Sequence, residues 1–443
     1  MTARLSDAAW SLSTYDRAAM RGGVVHLGLG AFHRAHQAPV FDSLIADGDA
    51  RWGVIAVATR SAALAETLAV QDGLYSLSVR DRDTATITVV GVLKAVLVAA
   101  REPEAVVSAL AHPDAHLATL TITEKGYLDH GPASPAGLIA RGLERRRFGG
   151  LAPLTVMSCD NRAGNGEAAR AAVLAAAARA GIADAGLAWI AEAVAFPSSM
   201  VDRITPAPTP MMIDDSSARL GLQDEAAVWT EPFWQWVVED RFAGARPDFA
   251  RAGVQLVSDV LPWETAKLRL LNAAHSALAY LGLLKGLAFV HEAIGDAELA
   301  RLVGRLWDEA ATAFESDGVD VAAYRAALLR RFANPGLPHA LIQIAADGSQ
   351  KLPPRILAGM SERARRGLSS PALATAVAAW AHALATLDGL AEPLIETLRP
   401  IARAPGPAEP VVRELLERID PAAAPLLAGE IGSALGRFRL KAY

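Results

Sequence analysis

The chain has 443 residues, more than one ordinary domain holds, so two domains are expected. A composition of 52% hydrophobic and 21% charged residues is that of a folded, soluble protein and excludes a disordered one. A net charge of −5 excludes the basic surface that nucleic acid requires, and the single cysteine, Cys159, excludes an internal disulfide and a multi-cysteine zinc site.

The N-terminal MTARLSDAAW lacks the charged-then-apolar order of a signal peptide, and with one thiol a cytoplasmic location is the simplest expectation. Residues 24–29 (VVHLGL) predict a buried strand closed by a glycine-rich turn. Residues 53–59 (GVIAVAT) predict a second strand and 62–71 a helix. Further strand-like runs fall at 116–123, 153–158 and 189–196, with alanine-rich helices over 137–147 and 167–181. This alternation predicts βαβ units, a mainly parallel sheet and the α/β class. From about Pro262 the pattern becomes helical, over 263–289, 292–315, 319–332, 370–388 and 410–419, punctuated by NPG, LPP and APGP. The apolar run 270–290 is long enough to span a bilayer, but it carries Asn272, His275 and Lys285, so a buried globular helix is expected and no membrane partner. The domains are drawn as a Rossmann-type dinucleotide-binding domain over 1–258 and a mainly α-helical domain over 259–443. The apolar helices suit a monomer or a small homo-oligomer.

The first strand runs into Gly28-Leu29-Gly30-Ala31-Phe32-His33. Gly28 permits a tight strand-to-helix turn, and Gly30 lets the backbone approach a pyrophosphate, with Ala31 and Phe32 completing the turn. His33 stands where a GxGxxG motif has its third glycine, which implies a different local path. The second strand ends at Thr59-Arg60-Ser61 without the acid that binds an adenosine ribose. NAD is the expected cofactor, and Arg60 leaves room for the 2′-phosphate of NADP. Arg60 as a plain solvated strand-end residue is the other reading.

The richest polar cluster is 263–275, WETAKLRLLNAAH. On an ideal helix Glu264, Lys267, Asn272 and His275 fall within a sector of about 140°. A buried lysine can exchange the hydroxyl proton in alcohol oxidation, while Asn and His hydrogen-bond the developing alkoxide. Hydride transfer belongs to the cofactor, so no nucleophile is needed. Against this stands an ordinary exposed stripe. Three histidines, His26, His33 and His36, hint at metal, but there is no HExxH motif or cysteine pair, and no metal is expected.

Several blocks together resemble the mannitol dehydrogenase and fructuronate reductase (mannonate oxidoreductase) family of polyol-specific long-chain dehydrogenases. They are GLGAFHRAHQA (28–38), QDGLYSL (71–77), TEKGY (123–127), SCDN with a following NG (158–166), FPSSMVDRITP (196–206), VVEDRF (237–242), KLRLLNAAHS (267–276) and DGSQKLP (347–353). They span nearly the whole chain. The resemblance implies Lys267 as general acid/base, Asn272 and His275 on the reacting oxygen, and Asn161 as a second amide donor to it. It implies Asp202 at the junction of cofactor and substrate, Glu264 beside Lys267, Glu124 near the active-site channel, and Lys351 at the far end of the substrate. It also implies zinc-independent chemistry. Asn161 and Asp202 as mere turn residues, and Arg203 as an ion-pair partner, are the structural alternatives.

Two positions depart from the pattern. Gln343 stands where mannitol-type members carry arginine, and Ala340 where the fructuronate side shows HRTxQ. Arg355 and Arg269 are the candidates to compensate, and nothing in the sequence itself shows that either does. The expected reaction interconverts a ketose or ketohexuronate with its polyol or aldonate, fructuronate and mannonate first. The alternatives are a mannitol 2-dehydrogenase or another polyol dehydrogenase, a dehydrogenase of phosphorylated or carboxylated sugars on the same plan, and a non-catalytic nicotinamide sensor.

Overall fold

Buried Val, Ala and Leu runs produce the strands, which in chain order are β1 (Val24–Leu27), β2 (Val54–Ala58), β3 (Tyr75–Asp81), β4 (Thr84–Val90), β5 (Leu93–Val98), β6 (Leu117–Leu120), β7 (Thr155–Ser158), β8 (Ser199–Asp202), β9 (Val228–Thr230), β10 (Gln235–Glu239) and β11 (Gln255–Val257). This computed structural model describes residues 3–8, 14–314 and 317–440, the side chains of Glu124 and Lys125 excepted. The chain divides into two compact units, Met1–Leu261 and Pro262–Tyr443.

In the first unit, five strands form a parallel sheet in the order β5-β2-β1-β6-β7. That is the 3-2-1-4-5 order of a doubly wound nucleotide-binding sheet. Alternate residues feed opposite layers. Val24, Ala56 and Leu117 enter one apolar cluster, and Val25, Val57 and Ala118 the other. A sheet buried on both faces explains why these strands read as continuous apolar runs. Two further three-stranded sheets, β11-β10-β8 and β4-β3-β9, combine parallel and antiparallel pairs. The sequence reading did not foresee the β3–β4 hairpin.

The helices that matter here are α1 (Ala31–His36), α2 (Asn165–Arg179) and α3 (Asp184–Ala193). Most of the strand-like run 189–196 belongs to α3, a correction. Its apolar stretch is short and rich in alanine, and its buried residues Gly186 and Ile190 recur at helical, not strand, spacing. The run 116–123 yields only β6, because the chain turns at Thr121 and Thr123 takes a φ of +65°.

The second unit is helical. It includes α4 (Leu261–Ala266), a π-turn over Lys267–Asn272, α5 (Ala273–Leu284), α6 (Leu341–Ala345), α7 (Gly348–Leu352), a second π-turn over Pro353–Leu357, α8 (Pro371–Thr386) and α9 (Ala424–Leu440). Only Leu261 of α4 falls in the first unit. The expected helix 292–315 is broken at Asp296, whose carboxylate caps a new helix by accepting from the amides of Glu298 and Leu299 at 2.9 and 3.0 Å. One apolar cluster, with α5, α8 and α9 contributing heavily, forms the core of this unit. Among the described residues no helix is long and apolar enough to cross a membrane.

Candidate active site

The strand order reverses between β1 and β6, the place where doubly wound sheets bind ligands. The chain leaves β1 through Gly28, whose φ is +112°. A Cβ there would lie 2.1 Å from the Thr121 carbonyl oxygen, so only glycine fits. Gly30 differs: it caps α1 in extended backbone, and the nearest atom to an added Cβ is the Gly28 carbonyl oxygen at 3.7 Å. Among the described residues nothing demands glycine at 30, whereas close approach of a dinucleotide's pyrophosphate does. The turn therefore fits the cofactor. Ala31 and Phe32 follow it, both half-buried.

His33, in place of a third glycine, is buried and stacks on His26 with ring centroids 3.4 Å apart and planes within 10°. The His26 ring meets Thr119 Oγ1 at 2.8 Å, Thr121 Oγ1 at 3.0 Å and the Gly28 carbonyl at 3.2 Å. Burial brings His26 down to about 3, and burial with the neighbouring His26 holds His33 well below the ordinary histidine value. The two rings are a neutral support beneath the turn. His36 points elsewhere, bonded to the Gln235 carbonyl at 3.0 Å and to Gln37. The three histidines do not converge, and among the described residues no group of three or more His, Cys, Asp or Glu is placed to hold a metal ion.

Behind β6, Asp160 clasps the loop. Its carboxylate accepts from the amides of Ile122 and Thr123 at 3.1 and 2.9 Å and from the Tyr127 hydroxyl at 2.6 Å. Arg60 donates to Thr123 Oγ1 at 2.5 Å, so its guanidinium lies along this loop. Asn161, next to Asp160, is exposed. Asn165 ties the same loop to β8, donating to the carbonyls of Asp160 and Ser199 at 3.0 and 2.7 Å. Asp202, 2% exposed, ends β8 opposite Gln235. Arg203 binds backbone, donating to the carbonyls of Ala35 and Glu231. Glu124 lies in the short helix Thr123–Gly126, and its side chain is outside the described residues.

In the second unit, Lys267, Asn272 and His275 are 9, 7 and 6% exposed, and Glu264 is half-buried. The even helical wheel needs correction here. With α geometry Asn272 would sit about 140° around from Lys267. Instead Lys267–Asn272 is a π-turn, with the Ala273 amide bonded to the Leu268 carbonyl five residues back. The wider π-turn brings Asn272 closer to the Lys267 side of the helix than α geometry would, and π-turns of this kind recur at functional sites. The Trp307 indole anchors the turn by donating to the Leu270 carbonyl at 3.0 Å.

His275 packs its ring against Phe332 at 4.7 Å and edge-on to His339 at 5.4 Å. Burial, then Lys351, lowers His339. Burial, then Arg355, lowers Lys351, whose Nζ lies 3.8 Å from Asp347 and 3.5 Å from the Ile344 carbonyl. Gln343 is exposed on α6, while Arg269 turns away to the Ala313 carbonyl and the Phe314 ring. Arg355 instead reaches Ser276, the neighbour of His275, at 3.2 Å. Sequence reasoning passed over His339, Tyr127 and Asp160. The last two lay inside quoted blocks, but no spacing rule distinguishes them.

The chain matches the mannitol dehydrogenase Rossmann domain over residues 22–251 and the mannitol dehydrogenase C-terminal domain over 259–404. It belongs to the mannitol dehydrogenase family. It is 38% identical over 398 residues to a D-mannonate oxidoreductase of Escherichia coli, covering 83% of this chain and 81% of that one. It is 38% identical over 405 residues to a mannitol 2-dehydrogenase of Phaeosphaeria nodorum, covering 84 and 70%. Among solved structures, Pseudomonas fluorescens mannitol 2-dehydrogenase, in ternary complex with NAD and D-mannitol, superposes with a TM-score of 0.86 at 32% identity, covering 99% of this chain and 97% of that one. This member of the mannitol dehydrogenase family is an oxidoreductase acting on secondary-alcohol CH–OH groups of polyols or sugar acids.

Proposed function

We propose that the enzyme uses NAD(H), without metal, to interconvert a ketohexuronate with its aldonate, fructuronate and mannonate first. The observation that carries the reaction type is the π-turn that brings buried Asn272 closer to the side of buried Lys267, with His275 following. Lys267 takes the hydroxyl proton in oxidation and returns it in reduction. Asn272 and His275 hydrogen-bond the reacting oxygen and stabilise its developing charge, the role that the family resemblance also implies for Asn161. Glu264 relays protons to and from Lys267. Asp202 and Glu124 contact substrate, Asp202 also at its junction with the cofactor, and Lys351 holds the far end of the sugar. Gly28 and Gly30 carry the pyrophosphate, helped by Ala31 and Phe32. When bound, the nicotinamide supplies the hydride acceptor or donor. The NAD in the Pseudomonas fluorescens complex supports NAD. Arg60, an exposed cation at the end of β2, is the residue on which NADP acceptance depends.

The mannitol 2-dehydrogenases among the relatives support a second reading, fructose and mannitol. Both are tested by following oxidation of reduced nicotinamide with fructuronate, tagaturonate and fructose, each with NADH and NADPH. Turnover of fructuronate with NADH is expected. Fructose as the sole substrate overturns the first reading in favour of the second, and no turnover of any ketone despite cofactor binding overturns both. An Arg60→Ala variant that keeps NADH activity and loses any NADPH activity is the expected outcome for the cofactor.

A further inference from the structure

The helical unit contains a cation with no anion to answer it. Arg355 is the third residue of the π-turn Pro353–Leu357, opened by two prolines that have no amide to donate. Burial lowers its guanidinium to about 10. Among the described residues, its one hydrogen-bond acceptor is the Ser276 hydroxyl at 3.2 Å, and no carboxylate lies within ion-pair distance. The neighbouring groups add positive or neutral character. Lys351 stands one helical turn before it, and His339 presents a buried Nδ1 without a partner among the described residues. The nearby acids are engaged elsewhere. Asp347, about half exposed, lies 3.8 Å from Lys351. Glu392 spends its carboxylate on the Ser349 amide at 2.9 Å, the Ser349 hydroxyl and the Leu394 amide at 3.3 Å. A half-buried guanidinium without a counter-charge is costly unless a ligand provides the anion.

Arg355 is also tied to the chemistry. Its acceptor, Ser276, follows His275, and His275 meets His339, which lies beside Lys351. The geometry points to Arg355 as the carboxylate anchor of the substrate subsite, with Lys351 beside it, so that the preferred substrate is an open-chain sugar acid and not a neutral sugar. This assigns to Arg355 the anion recognition that the departures at Gln343 and Ala340 leave without an owner in the sequence. It rests on the dehydrogenase reading only for the identity of the reacting centre.

The test compares Arg355→Gln and Arg355→Lys with the wild type in kcat/KM for fructuronate and for fructose, and in binding of D-gluconate to the NAD-loaded enzyme by titration calorimetry. The expected result is a fall of about 30-fold in the ratio of fructuronate to fructose efficiency for Arg355→Gln, with partial recovery in Arg355→Lys. Gluconate affinity should fall by a similar factor. Equal losses on both ketones, or no loss on either, overturns the assignment, since a merely structural arginine does not discriminate the two. If no ketone turns over in the wild type, the dehydrogenase reading fails. The carboxylate anchor then stands or falls on gluconate binding alone. Circular dichroism melting of both variants checks that they fold, and Arg355→Lys carries the test if Arg355→Gln does not.

Discussion

Two polar groups, the Asp224 carboxylate of the first unit and the Arg355 guanidinium of the second, are partnered on opposite terms. In the first unit, the Asp224 carboxylate is saturated by the protein itself. Asp224, fully buried, accepts from Gln71 Nε2 at 2.9 Å, the Ser76 amide at 2.7 Å and hydroxyl at 2.5 Å, and the Ala226 amide at 2.8 Å. Asp160, Asn165 and Arg203 likewise tie loop to strand. In the second unit, Arg355 meets one serine hydroxyl and His339 keeps a buried nitrogen unmet among the described residues. The contrast separates scaffold from site. Asp224, with its capacity filled, holds the fold, and Arg355, with capacity left over, is the group proposed to meet a ligand.

The comparison can be broken most sharply at Lys267. Lys267→Ala should lower kcat by about 10³-fold while the protein melts as before, measured by nicotinamide absorbance and calorimetry. A loss of melting temperature without loss of turnover would make Lys267 scaffold. Asp224→Ala should do the reverse. It strands buried donors at four points and should cost about 3 kcal/mol in urea unfolding of the first unit. Retained stability there would undo the distinction.

The stacked histidines give the pH dependence. His26 and His33 are neutral in the fold, with values depressed below the unfolded 6.5, so the unfolded chain binds more protons in acid. Their contribution is intact above pH 6.5 and is lost as pH falls from 6.5 towards about 3 for His26. At pH 5 the loss is about 2 kcal/mol for His26. A His33→Phe variant should show a shallower decline of unfolding free energy across that window, and an unchanged slope would contradict the neutral stack. The smallest effect belongs to Gly30. Gly30→Ala should leave the melting temperature in place, because a Cβ meets nothing nearer than 3.7 Å, yet weaken NAD binding about tenfold by fluorescence titration. Gly28→Ala, with its 2.1 Å contact, should destabilise the unit as well.

Much of this protein is determined by local pattern. Continuous Val and Ala runs specify strands buried on both faces, glycine at 28 specifies a left-handed turn, and the spacing of Lys267, Asn272 and His275 marks the polar face of an apolar helix. These features depend on neighbours a few residues away, which a sequence displays directly. The run 189–196 shows the limit, since a short apolar stretch satisfies strand and helix alike until its packing partner is known. Tertiary structure alone decided the rest. The π-turn that brings Asn272 closer to the Lys267 side is held by Trp307, distant in the chain. Asp160 became a clasp because β6 and β7 lie side by side. Arg355, and not Arg269, reaches Ser276 because α5 packs on α7 and the two π-turns pack on each other, while Arg269 points to Ala313. Whether a charge is compensated depends on every group within reach, and that set is assembled only when the chain folds.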